Sequence, residues 1–267
     1  GYVDSVQAIL TGMMKRLFAV LSGTAIAATG LITAAPAHAA PVTRVILMPG
    51  QSVGGMTLGF AMGPMADNLT SRGFPTTVLN LAGKDLRADA RRIAAAVDQT
   101  RRAHPGDRIA LVGHSISGIS SRWYLKEMGG TAKVATYIAI GTAQYGSPPS
   151  CTADIARENC PGSPFINRLN AGIDTPKPTV YFGIRSTREY ATGDLDGRQC
   201  RVTPVPIPDI IPNGFDHTAE PLTPAIWDAT AASLRGQCKG RWVTTPDGVL
   251  NGENQMLPTA PGYKKPN

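Results

Sequence analysis

The stretch Arg108-Ile109-Ala110-Leu111-Val112-Gly113-His114-Ser115-Ile116-Ser117-Gly118 decides the fold. Its first five residues form an apolar, β-branched run that reads as a short buried strand, and residues 119–128 carry apolar side chains at helical spacing. Strand, tight turn, helix is therefore the local reading. A serine on such a turn is pushed out above the end of the sheet, with the N–H groups that open the helix aimed at whatever carbonyl it attacks. Small residues must flank it. Gly113 stands two positions before Ser115, while Ser117 stands two after and Gly118 one step later, so the pattern is G-x-S-x-S-G rather than G-x-S-x-G. The same letters also suit an ordinary βα turn or a phosphate-binding loop at a helix start, and the rest of the chain has to decide.

Outward from that turn the chain alternates strand and helix. Residues 42–48, 76–80, 134–140 and 179–184 read as strands, and 64–72, 86–103 and 224–234 as helices, with Ile93 and Val97 on the inner face of the second. This alternation predicts an α/β fold with a mostly parallel sheet covered on both faces, whose sites gather at the C-terminal ends of the strands. One catalytic domain is expected over residues 40–245. Residues 246–267, rich in Pro, Gly and Asn, read as a loosely held tail.

With 267 residues, 42% of them hydrophobic and 17% charged, the chain can bury one full core, which argues against disorder. The net charge of +7 is carried by scattered Lys and Arg, so no nucleic-acid patch is read. Lys15 and Arg16, the uncharged stretch 17–35 and Ala37-His38-Ala39 have the order of a secretory signal peptide with its cleavage site. Residues 1–39 are thus expected to be upstream sequence plus signal, with the mature chain starting at Ala40; a retained anchor is the alternative. Export agrees with four cysteines, Cys151, Cys160, Cys200 and Cys238, an even count that predicts two disulfides. Three pairings are open, and the favoured one joins Cys151 to Cys160 and Cys200 to Cys238. No C-x-x-C or paired-histidine spacing occurs, so no metal site is expected.

A nucleophilic serine needs a base. Of the four histidines, His38 lies in the signal, His104 ends an exposed helix, and His114 adjoins Ser115, where it is expected to pack beside the turn. His217 remains, in Asn213-Gly214-Phe215-Asp216-His217-Thr218 before the last helix, where the chain order nucleophile, acid, histidine places the base. The orienting acid should follow the strand that ends at Ile184, which offers Glu189, Asp194 and Asp196. The two aspartates lie beyond Gly193 and are expected to face solvent.

From about residue 42 to residue 234 the chain resembles the secreted bacterial class 2 lipases and esterases of the α/β-hydrolase superfamily. The segments that carry the resemblance are "RVILMPG", the run "IALVGHSISGISSRWYLKEMGGTAKVATYIAIGTAQYGS", "GSPFINRLN", "IRSTRE" and "FDHTAE". The resemblance implies a three-layer α/β-hydrolase fold, Ser115 as nucleophile, His217 as base and Glu189 as acid, with the N–H groups of Ile116 and Gln51 as oxyanion hole. Two departures stand out: Pro49 occupies the place of the usual oxyanion-loop histidine, and glutamate replaces aspartate as the acid.

The expected reaction is attack of Ser115 on an ester carbonyl, then hydrolysis of the acyl-enzyme by water, with no cofactor. Residues 56–62, Met-Thr-Leu-Gly-Phe-Ala-Met, suit an acyl chain or a small flap, or equally ordinary core packing. The expected partner is a small-molecule or lipid ester, with transient contact with lipid surfaces, no nucleic acid and a monomeric, extracellular enzyme. Two other readings stay open: an acyltransferase to a cell-envelope alcohol, and a non-catalytic binding protein on the same fold.

Overall fold

The computed structural model describes residues 40–152, 156–202, 205–206 and 216–256. The chain divides into two units, Gly1–Ala40 and Pro41–Asn267. Residues 1–39, to which the signal peptide was assigned, lie outside the described residues, and the fold below is that of the second unit.

Among the described residues, seven strands form one sheet: β1 (Thr43–Met48), β2 (Thr76–Val78), β3 (Arg108–His114), β4 (Thr136–Ile140), β5 (Val180–Ile184), β6 (Gly197–Arg201) and β7 (Arg241–Thr245). Their order is β2-β1-β3-β4-β5-β6-β7, parallel throughout except for the antiparallel pair β6–β7. The helices are α1 (Gly63–Ser71), α2 (Leu86–Ala103), α3 (Ile116–Glu127), α4 (Pro164–Leu169) and α5 (Pro224–Leu234). This is the mostly parallel, helix-covered sheet of the α/β-hydrolase fold.

Strand alternation explains the layering. Ile46, Met48, Ile109 and Leu111 point to the layer that holds α2 and α3, while Val45, Leu47, Ala110 and Val112 point to the layer of α1 and α5. Central strands covered on both sides must be apolar on both faces, which is why β3 is a continuous apolar run. Helix α2 starts at Asp85, whose side chain accepts from Ala88 N at 2.8 Å, and it buries Leu86, Ala90, Ile93 and Val97 on one stripe. Arg101 and Arg102 lie in its last turn, where positive charge suits the helix dipole. Helix α3 is buried almost throughout, and even Arg122 is enclosed, its charge met by Asp174 at 2.9 Å and by Asn170 Oδ1 at 2.8 Å.

The structure adds two strands that the sequence reading does not include, and it places two carboxylates otherwise than expected. Strands β6 and β7 carry no clear alternating apolar pattern, because one edge of the sheet asks only for backbone pairing. Asp196 does not face solvent: it is fully buried, and its Oδ2 accepts from Val249 N at 3.2 Å and Leu250 N at 3.3 Å. Asp194 is partly buried and paired with Arg201 at 3.2 Å. Those contacts fasten part of the stretch expected to be loosely held, within residues 246–256. Thr192 N bonds Gln255 O at 2.7 Å, Met256 pairs with Ala191, and both Gln255 and Met256 are buried. A composition rich in Pro, Gly and Asn excludes regular structure, not contact. Residues 257–267 lie outside the described residues.

The four cysteines form Cys151–Cys160 and Cys200–Cys238. The second bridge ties β6 to the segment before β7 across a separation of 38 residues. Replacing both of its cysteines by serine is expected to lower stability by about 2–4 kcal/mol, through the unfolded-state entropy that the crosslink removes. A urea midpoint unchanged from wild type would contradict this.

Candidate active site

Ser115 sits between β3 and α3 with φ 57° and ψ −128°, a backbone conformation that L-residues rarely adopt and that costs about 1–3 kcal/mol. The surroundings enforce it: Ser115 N donates to Ile140 O at 2.8 Å, and Thr142 Oγ1 donates to Ser115 O at 2.8 Å. The two glycines explain the G-x-S-x-S-G spacing. A Cβ on Gly113 would lie 2.8 Å from Gly118 N, and one on Gly118 would enter the Thr142 side chain. The close approach therefore falls at 118, and position 117 can hold a serine, whose hydroxyl turns inward and donates to His114 O at 2.9 Å.

His217 lies in the short 3-10 turn Asp216–Thr218, and Glu189 in the loop that follows β5. The fold brings both to Ser115. His217 Nε2 is 2.8 Å from Ser115 Oγ, and His217 Nδ1 is 2.5 Å from Glu189 Oε2. The other oxygen of Glu189 accepts from Tyr190 N at 2.7 Å and Ala191 N at 3.1 Å, which fixes the direction of the carboxylate. Arg188 and Asp216, 2.7 Å apart, join the loop of the acid to the turn of the histidine. Asp194 and Asp196 are engaged elsewhere, as described above.

Two side chains in the cluster had no assigned role in the sequence. His114 packs beside the turn as expected, but it also holds the histidine turn: its Nε2 lies 2.9 Å from His217 O, and the two rings are 4.8 Å apart. Glu220, fully buried, follows His217 by three residues, close to one helical turn. That spacing within "FDHTAE" was the only available signal. Ligand atoms of His114, His217 and Glu220 converge within 4.8 Å, yet His114 Nε2 is bonded to a carbonyl and His217 to Ser115 and Glu189, an arrangement of hydrogen bonds rather than open ligation.

Burial dominates the electrostatics. It pushes the Glu189 carboxyl up to about 7 against the lowering effect of its N–H donors, and it pushes His217 and His114 below the ordinary imidazole value. Groups shifted in this way beside a strained serine mark a reactive site more often than a structural one.

The oxyanion candidates Gln51 and Ile116 lie on the loop after β1 and at the first residue of α3. Among the described residues neither N–H meets an acceptor. Beyond Gln51 the chain makes a narrow turn in which Val53 and Met56 exchange backbone hydrogen bonds of 3.0 and 2.9 Å. Residues 56–62 divide between the two readings given to them. Gly59 and Met62 are buried, whereas Phe60 is 70% and Met56 59% exposed, as is Val53 at 65%. The 3-10 turn Gly59–Met62 packs on the turn Glu220–Leu222, whose Leu222 is also exposed, so an apolar rim lies beside the site. No helix among the described residues is long and apolar enough to cross a membrane.

No family profile matches the chain, and no curated protein matches it in sequence. Among solved structures it is similar to the mature lipase BlEst2 of Bacillus licheniformis, with 19% identity, a TM-score of 0.47, and coverage of 56% of this chain and 67% of that one. It is also similar to phospholipase PlaB from Legionella pneumophila, with 16% identity, a TM-score of 0.47, and coverage of 54% of this chain and 38% of that one. A third similar structure is Aspergillus fumigatus lipase B, with 19% identity, a TM-score of 0.46, and coverage of 57% and 38%. The chain spans well under half the length of the last two.

Proposed function

We propose that the protein is a serine-dependent carboxylic-ester hydrolase. The observation that carries the reading is the unbroken relay from Ser115 Oγ through both nitrogens of His217 to Glu189, with separations of 2.8 and 2.5 Å. His217 takes the hydroxyl proton as Ser115 attacks the ester carbonyl, and Glu189 holds the imidazole tautomer and offsets the charge that forms. The N–H groups of Ile116 and Gln51 receive the oxyanion. His217 then protonates the departing alcohol, and water, activated by the same histidine, releases the acid and restores Ser115. The exposed Val53, Met56 and Phe60 support an ester with an apolar acyl chain, presented from solution or from a lipid surface. The two disulfides support work in an oxidising compartment outside the cytosol.

Hydrolysis of a chain-length series of nitrophenyl esters tests the reading, and its pH profile has a predicted sign. The reactive form has neutral His217 and ionised Glu189, so proton uptake by the pair abolishes it. With Glu189 raised to about 7 and His217 lowered by burial, the pair takes up its proton near neutrality. Accordingly kcat/KM should fall about tenfold per unit below roughly pH 6 to 7. A flat profile down to pH 4 in folded enzyme, or no turnover of any ester, would overturn the reading.

A further inference from the structure

Glu220 stands in the cluster without a task in the mechanism above. It is fully buried, and its Oε1 accepts from both the N–H and the hydroxyl of Ser186, each at 2.7 Å. Its Oε2 meets no donor among the described residues. The His114 Nε2 atom is 3.7 Å away, and its hydrogen bond goes to His217 O at 2.9 Å. What Oε2 does face is Glu189. Gly141, at φ +56°, leaves the space in which the two carboxyls converge: a Cβ there would collide with Glu220 Oε2 and lie 2.6 Å from Glu189 Oε2 and 3.1 Å from His217 Nδ1.

Two carboxylate oxygens crowded together and shielded from water cannot both stay ionised, so the pair must hold a proton. Its location follows from the donors. Glu189 receives two backbone N–H groups on one oxygen and the His217 ring on the other, which favours its ionised form. Among the described residues, Glu220 has donors on one oxygen only. We propose that Glu220 is a positioning residue: a neutral carboxylic acid whose Oε2–H donates to Glu189 and keeps that carboxylate ionised and aimed at His217. This inference rests on the reading of Ser115, His217 and Glu189 given above.

The surrounding charges agree. Burial and the neighbouring Glu189 push the Glu220 carboxyl up against the lesser lowering effect of His114 and His217, and burial lowers His114 against the raising effect of Glu220. Tyr190, raised to about 12, stays protonated. Asp216 is taken by Arg188, and burial lowers Arg185, whose charge acts on Asp194 as well as on Glu189 and Glu220. Asp194 in turn pairs with Arg201.

The strength of the donor to Glu189 sets the basicity of the Glu189–His217 pair. Glu220→Gln keeps the size, the acceptor for Ser186 and an N–H for Glu189, but an amide donates more weakly than a carboxylic acid. Glu189 then becomes more basic, and the acid limb of kcat/KM for a nitrophenyl ester should move to higher pH by about half a unit or more. An unmoved limb would mean that Glu220 only packs, and a limb moved to lower pH would mean that it is ionised; either overturns the proposal. A second readout needs no turnover. The infrared difference between wild type and Glu220→Gln at neutral pH should contain the carbonyl band of a protonated carboxyl, and its absence overturns the assignment. If wild type shows that band yet cleaves no ester, the hydrolase reading has failed while the protonated Glu220 stands.

Discussion

Ser115→Ala is expected to lower ester turnover by about 10⁶-fold while leaving the protein folded. The size of the loss follows from the role: without the hydroxyl there is nothing to acylate, and His217 and the oxyanion donors are left with only weak assistance to water. The fold should survive because Ser115 Oγ is bonded to His217 alone among the described residues, and alanine bears the strained φ no worse than serine does. The variant should also fail to react with an active-site phosphonate that labels wild type once. Turnover near the wild-type rate in the alanine variant would remove Ser115 from the mechanism.

Glu189→Gln is expected to cost on the order of 10⁴ in turnover, because an amide does not hold the imidazole in the tautomer that accepts the Ser115 proton, nor offset the imidazolium. Stability should move the other way. The carboxyl has its folded pKa raised by burial, so its ionisation opposes folding above the unfolded value of about 4.3, and a neutral amide removes that opposition at pH 7 and above. Loss of activity with unchanged or improved resistance to urea is the expected signature. Asp194→Asn should leave turnover within a few-fold of wild type, since Asp194 pairs with Arg201 rather than with His217. The reverse ranking, with Asp194 indispensable and Glu189 dispensable, would assign the acid wrongly while leaving Ser115 and His217 in place.

What was legible in the sequence is local. Periodicity located helices α2 and α5 to the residue, and the apolar runs of β1, β3 and β4 announced central strands, because burial on both faces leaves no room for polar side chains. The glycines around Ser115 announced a turn in which backbones touch. The chain order of Ser115, Glu189 and His217 pointed to three loops at one end of such a sheet. An even cysteine count announced two bridges, and the favoured pairing is the one found.

Tertiary structure alone decided the rest. Asp194 and Asp196 look like surface charges because loop carboxylates usually are, yet Asp196 is buried by a segment that arrives more than fifty residues later. At one end of the sheet, β6 and the edge strand β7 depend on pairing with their neighbours and on the Cys200–Cys238 bridge, neither of which leaves a period in the sequence. His114 meets the carbonyl of His217 across 103 residues. Glu220 has an ordinary place in the chain, on a short turn before a helix, and its spacing of three residues from His217 is the one local sign of it. Its character comes from facing Glu189 in a space closed to water, and that is a property of how two distant loops pack, which no local pattern encodes.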